Sequence, residues 1–212
     1  MDDDDDLTAS EIRQLDEAER ALRSGEAVVV PTDTVYGLAA IADLPRATAR
    51  LFTLKHRTER KALAVLVADV EQAQSLIAPV GPEVRALMAR HWPGPLTLVL
   101  PRSSASRALD LGGDDDTTVG VRCPGHALMR ALARRVGPLA TTSANRSGQP
   151  TPTTAAEAAA ALDGRVGFVL DGGRCDGVPS TVVDVTAVPW RVLRVGPVSP
   201  IVGPRDVLDG GS

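Results

Sequence analysis

The 212 residues, 43% hydrophobic and 24% charged, have ordinary globular composition and enough length to bury one sizeable core. Aromatic residues make up only 2%, so Val, Leu, Ile and Ala must carry that core, and binding single strands by stacking bases on Phe or Tyr is disfavoured. The formal charge of −4 includes the five carboxylates of Asp2 to Asp6; the remaining body carries +1 (−4 + 5), which neither demands nor excludes a nucleic-acid partner.

Thr8 followed by Glu11 has the form of a capping box, and Ile12, Leu15, Ala18, Ala21 and Leu22 recur at helical spacing until Gly25, which predicts a first amphipathic helix. Ala27 to Val30 reads as a buried strand stopped by Pro31, and Pro45 opens a second helix running towards Lys55. A strand is expected at Ala62 to Val67, helices near Asp69 to Ile77 and Pro82 to Arg90, and strands at Leu96 to Leu100 and Thr118 to Arg122. A helix from about His126 to Arg135, a strand around Leu139 to Thr141 and a helix near Thr154 to Leu162 follow, then strands near Val166 to Leu170, Thr181 to Val185 and Arg191 to Val195. This mixture argues for an α/β or α+β fold with a sheet of mixed strand direction, because the last strands have no helices between them.

Cys123 and Cys175 form no disulfide framework and read as small, partly buried residues in a reducing compartment. No apolar run reaches the roughly 18 residues of a membrane span, and the acidic start is unlike a secretory leader, so no membrane is expected and the cytoplasm is the expected location. The usual phosphate-loop, dinucleotide, H-E-x-x-H and Cys-x-x-Cys patterns are missing, and His56, His91 and His126 are isolated.

Polar clusters remain at predicted strand ends, where open α/β sheets bind ligands. Pro31 to Leu38 brings Thr32, Asp33 and Thr34 after a buried strand, which also fits a capped turn into the next helix. Lys55 to Lys61 is strongly basic and joins a helix end to an apolar strand; Arg forks and Lys point charges together suit a polyphosphate. Thr141 to Gly148 is dense in hydroxyls and amides, suited to a ligand or to a turn that satisfies its own backbone. Arg122, Ser180 with Thr181, and Arg194 sit at the ends of other strands, and Asp114 to Asp116 read as a solvated acidic loop.

Seven stretches in order carry a resemblance over about Gly25 to Pro200: Pro31 to Gly37, Lys55-x-Arg57, Trp92 to Thr97, Thr118 to Arg122, Ser143-Ala144-Asn145-x-Ser147-Gly148, Ser180 to Asp184, and Leu193-Arg194-x-Gly196. Together they resemble the YrdC-like family of threonylcarbamoyl-adenylate synthases, in its short single-domain form. The resemblance implies a twisted mixed sheet around a concave groove with helices outside. It divides the chain into an acidic disordered tail (1–7), one catalytic domain (8–205) and a flexible C-terminal tail (206–212). It also implies a reaction in which L-threonine, bicarbonate and ATP give threonylcarbamoyl-AMP and pyrophosphate for tRNA threonylcarbamoyladenosine modification, with Mg2+ accompanying ATP.

By the same matching, Lys55, Arg57, Ser143 and Asn145 are the catalytic signature. ATP would meet Arg57, Lys61, Thr118, Ser143, Thr151 and Arg194, and threonine would meet Thr34, Arg122, Thr141 and Ser180. Many relatives carry a proline directly after the Lys-x-Arg pair and an asparagine three residues later; this chain has Thr58 and Lys61. Proteins of a threonylcarbamoyl-transferase complex would take the product. Two rival readings stand beside this one: a double-stranded RNA or tRNA binder of the same fold, gripping phosphates with Arg46, Arg50, Lys55, Arg57, Arg60 and Lys61, and a carbamoyl-adenylate former serving another acceptor.

Overall fold

The computed structural model describes residues 7–55, 61–146, 148–163 and 165–199. Helix α1 (Ala9–Arg23) begins at the expected capping box: Thr8 Oγ1 accepts the Glu11 N–H at 3.2 Å, and Glu11 Oε2 accepts the Thr8 N–H at 2.8 Å. Strand β1 (Val28–Val30) follows, then β2 (Gly37–Ile41), α2 (Pro45–Leu54), β3 (Ala64–Leu66), the short α3 (Val70–Gln74) and α4 (Pro82–His91). The chain continues through β4 (Leu96–Pro101), β5 (Thr118–Arg122), α5 (Ala127–Val136), β6 (Leu139–Ser143), α6 (Ala155–Ala161), β7 (Phe168–Val169), β8 (Thr181–Asp184) and β9 (Arg191–Arg194). Residues 1–6 of the expected acidic tail (1–7) and all of the expected C-terminal tail (206–212) lie outside the described residues.

These strands form one sheet in the order β7-β1-β2-β6-β3-β5-β4-β8-β9. It is mixed, as the missing helices near the C-terminal end foretold: β1–β7, β3–β5 and β4–β8 are parallel pairs and the other neighbours are antiparallel. Strand β2 departs from the expectation of a turn leading straight into a helix. Its sequence, Gly-Leu-Ala-Ala-Ile, has neither alternation nor β-branched enrichment until its last residue, because all five positions are buried between β1 and β6 and both faces need apolar or absent side chains. Helix α3 is shorter than expected: Asp69 caps it by accepting the Gln72 N–H at 2.8 Å, and it ends at Ser75.

Each face of the sheet has its own apolar cluster. Leu15, Ala18 and Leu22 of α1 pack with Leu128, Met129 and Leu132 of α5 over Val28, Val30, Ala39, Ile41 and Leu139. The opposite face sends Val29, Leu38, Ala40, Val65, Leu98, Leu100, Val119 and Val121 into a second cluster with Leu51 of α2 and Leu87 of α4. On β5 the period of two is plain: Val119 and Val121 enter this cluster, while Thr118, Gly120 and Arg122 line the uncovered part of the other face.

The irregular segment between β7 and β8 closes one end of that open face. Gly177 N–H donates to Thr34 O at 2.7 Å and Cys175 N–H donates to Thr153 O at 2.8 Å. Tyr36, fully buried, donates its hydroxyl to Gly173 O at 2.7 Å and accepts the Gly172 N–H at 3.2 Å. Burial pushes its phenol up to about 12, so it remains a donor across the physiological range. Tyr36→Phe removes the anchor of this segment and should lower unfolding stability by about 1–2 kcal/mol, seen as a shifted urea midpoint with unchanged slope.

Candidate active site

A cavity of 580 Å³ opens on the uncovered face, inside the roughly 300–1,000 Å³ range of small-molecule sites. Its floor follows the strand registers. Thr141 of β6 pairs with Ala64 of β3, Ala64 with Gly120 of β5, and Gly120 with Val99 of β4. Three small side chains and a glycine thus lie in one row across the middle, leaving room above the backbone. Arg122 and Thr118 stand on either side of that row, four residues apart on one strand and so about 13 Å apart along it.

At one end Arg122 is 5% exposed. Its Nη2 donates to Asp33 Oδ1 at 2.6 Å, its Nη1 to Thr34 Oγ1 at 2.7 Å and its Nε to Gly94 O at 3.0 Å. Among the described residues these bonds use three of the five guanidinium donors, leaving two for a ligand. Glycine at 94 is required by close packing: a Cβ there would lie 2.6 Å from His91 O. Burial draws the Arg122 guanidinium below the ordinary arginine value, Asp33 opposes this, and the positive charge of Arg194 adds to the depression. Two cations that disfavour one another across one cavity create a potential that welcomes an anion.

Arg194 reaches the cavity from the last strand. Its Nε donates to Ser180 O at 2.8 Å and its Nη2 to Ser180 Oγ at 3.0 Å. Thr34, Arg122, Ser180 and Arg194, drawn from sequence positions far apart, therefore line one volume together with Lys61, Thr118, Thr141, Ser143 and Thr151.

Of the signature residues, Lys55 and Asn145 stand outside the cavity lining. Lys55, at the C-terminal cap of α2, is 1% exposed and stands behind the cavity wall rather than in it. Helix α2 packs on β2 and β6 and so aims this side chain under the end of β6. Its ammonium donates to Ser143 O, to Ser143 Oγ at 3.2 Å and to Asn145 Oδ1 at 3.1 Å. Ser143 Oγ donates in turn to Asn145 Oδ1, and the Asn145 amide donates to Gln149 O. Lys55 and Asn145 form a buried scaffold that fixes Ser143, which alone of these three lines the cavity. Arg57, with Thr58 and Arg60, lies outside the described residues.

Several hydroxyls are already committed. Thr118 donates to Asp115 Oδ2 at 2.8 Å, and Thr141 donates to Leu139 O of its own strand at 3.0 Å. Asp115, expected in a solvated loop, lines the cavity with Asp114. The Thr117 hydroxyl, first among its bonds, holds the Asp115 carboxyl below the usual range.

Sequence reasoning passed over three contributors. Asp33 neutralises Arg122; Thr97 pairs with Ser180 at 2.8 Å; and Arg102, 5% exposed, ties Thr118 O at 2.8 Å to Leu109 O at 3.0 Å. Only their places inside or beside the quoted motifs, or at a strand end, hinted at them. The described members of the proposed RNA-gripping set fall in three places: Arg46 and Arg50 border a separate groove where Arg50 pairs with Glu26 at 2.8 Å, Lys55 is buried, and Lys61 faces the cavity. Among the described residues no helix is long and apolar enough to cross a membrane.

Because Lys55 is interior, Lys55→Ala removes packed methylenes and leaves Ser143 and Asn145 acceptors short of a donor. It should cost about 2–4 kcal/mol of stability, measurable by urea unfolding, rather than leave the fold intact.

Residues 20–196 match the Sua5/YciO/YrdC family, whose description reads "Telomere recombination". A threonylcarbamoyl-AMP synthase of Pyrococcus abyssi is 41% identical over 82% of this chain and 52% of its own length. One of Bacillus subtilis is 38% identical over 93% of this chain and 59% of its own. The chain thus spans between half and three fifths of these two relatives. The crystal structure of P. abyssi Sua5 complexed with L-threonine superposes with a TM-score of 0.80 at 40% identity, covering 88% of this chain and 54% of that one. With the nine-stranded sheet, its concave cavity and these matches in agreement, this chain belongs to the Sua5/YciO/YrdC family.

Proposed function

We propose that this protein joins L-threonine, bicarbonate and MgATP into L-threonylcarbamoyl-AMP, releasing pyrophosphate and water. The observation that carries the reading is the cavity itself: one end offers the buried Arg122 with Thr34, Ser180 and the Arg194 that bonds Ser180, and the other offers Lys61, Thr118, Ser143 and Thr151. Its relatives' names and the threonine bound to P. abyssi Sua5 support the same assignment.

In this reading the Arg122 fork takes the amino-acid carboxylate and the hydroxyls of Thr34 and Ser180 meet its polar groups. The threonine nitrogen bonds to the bicarbonate carbon as water leaves, giving a carbamate. A carbamate oxygen then bonds to the α-phosphorus of ATP while the bond from that phosphorus to the bridging oxygen breaks and pyrophosphate departs. Displacement of this kind needs alignment and stabilisation of spreading negative charge more than a side-chain nucleophile. Lys61 and Arg194, with Arg57 by resemblance, supply positive charge for it. Mg2+ would come with ATP as part of the substrate and would supply further positive charge to its phosphates. Carbamates lose carbon dioxide in water, so the recessed floor shelters the intermediate. The product would pass to transferase-complex proteins that modify tRNA.

Incubation with MgATP, bicarbonate and labelled threonine should release pyrophosphate only when both other substrates are present, and should yield a threonine-containing adenylate. Pyrophosphate release that ignores threonine would falsify the proposal. The floor offers a sharper check. A Cβ at Gly120 would meet Thr97 Cγ2 at 3.6 Å and nothing closer, so the fold accepts a side chain there. Gly120→Val should leave the melting temperature unchanged or higher, since valine suits a strand better than glycine. It should nonetheless cut kcat/KM at least about tenfold, as its methyls occupy the space the substrates need.

A further inference from the structure

We propose that Thr97 is a positioning residue that fixes the hydroxyl of Ser180 for the amino-acid substrate, an inference that rests on the adenylate-forming reading above. Thr97 and Ser180 are 6% and 4% exposed, line the same cavity, and place their hydroxyl oxygens 2.8 Å apart. Arg194 donates to the same Ser180 oxygen at 3.0 Å.

A serine hydroxyl has three hydrogen-bonding directions, one proton and two lone pairs. Arg194 occupies a lone pair and Thr97 occupies a second direction, whichever of the two hydroxyls donates. One direction remains for a ligand, and its character follows from Thr97. If Ser180 donates to Thr97, the remaining lone pair accepts from an amine or hydroxyl of the substrate. If Thr97 donates, the Ser180 proton is left to meet a carboxylate. In both cases the single open site is held in place instead of rotating.

Thr97 is built for this. It sits within β4, paired in register with Val182 of β8, which fixes its backbone. A β-branched side chain in a strand has few rotamers. Its methyl lies towards Gly120, where an added Cβ would touch it at 3.6 Å, and its hydroxyl lies towards Ser180. Arg194 does not need this hydroxyl to stay in place, because its Nε also holds the Ser180 backbone carbonyl at 2.8 Å. Thr97 should therefore act on the amino-acid substrate and leave ATP largely alone.

The test is a steady-state comparison of wild type, Thr97→Val, Thr97→Ser and Ser180→Ala, with ATP and threonine varied separately. Thr97→Val, which keeps shape and loses the hydroxyl, should raise the KM for threonine about tenfold with the KM for ATP within about twofold. Thr97→Ser should restore the wild-type KM, and adding Thr97→Val to Ser180→Ala should change nothing further, because the two act through one hydroxyl. An unchanged threonine KM in Thr97→Val overturns the inference alone, as does equal impairment in Thr97→Ser, which would make the methyl the working group. Fully additive effects in the double variant overturn it too. Wild-type protein whose pyrophosphate release ignores threonine removes the parent reading and this inference with it.

Discussion

A guanidinium with 5% exposure needs its charge and its donors answered inside the protein. Arg122 meets that requirement by holding Asp33, Thr34 and Gly94 at once, and so draws the turn after β1 and the loop before β4 onto the end of β5. Lys55 does the same at the opposite end, where its ammonium gathers Ser143 and Asn145 beneath the end of β6. Both walls of the cavity are thus stitched by buried cations, and the side chains that shape the cavity also hold the fold together. Removing either cation strands its acceptors, so loss of activity in such variants mixes misfolding with lost contacts unless an isosteric change is used.

Between the two cations the floor is low. Thr141, Ala64, Gly120 and Val99 line up through three strand pairings, and their small size lets a ligand lie close to the backbone. At the Arg122 end an anion is favoured because Arg122 and Arg194 both raise the positive potential and Asp33 pairs with Arg122 alone, whereas Asp114 and Asp115 add negative charge elsewhere in the lining. A cavity with a span of about 13 Å between Thr118 and Arg122 has room for two small ligands laid end to end.

Much of the fold was legible because the strands alternate. Thr-Val-Gly-Val-Arg at 118–122 reads directly as two valines for the core and three positions for the open face, and the structure places them so. Strand β2 was not legible because burial on both faces erased its period, and alanines in a fully enclosed strand give no β signal. Thr34, Arg122, Ser180 and Arg194, named from motif positions, do line one cavity, whereas Asp33, Thr97 and Arg102 were given no role because each acts through a partner distant in sequence. The burial of Lys55 was not legible, since a basic run gives no sign of which of its members turns inward.

The sequence alone determined the alternation of helices and strands, the mixed direction of the sheet and, by resemblance, the family, because periodicity, capping and motif order are local properties of the chain. Tertiary structure decided which polar groups share a volume. Residues 34, 122, 180 and 194 meet only because β2, β5, β8 and β9 stand where the order β7-β1-β2-β6-β3-β5-β4-β8-β9 puts them. It also decided that Lys55 supports the site from behind while Ser143 faces it, since that depends on how α2 packs against β6. Hydrogen-bond partners separated by 88 residues, as Lys55 and Ser143 are, are set by packing and leave no trace in local pattern.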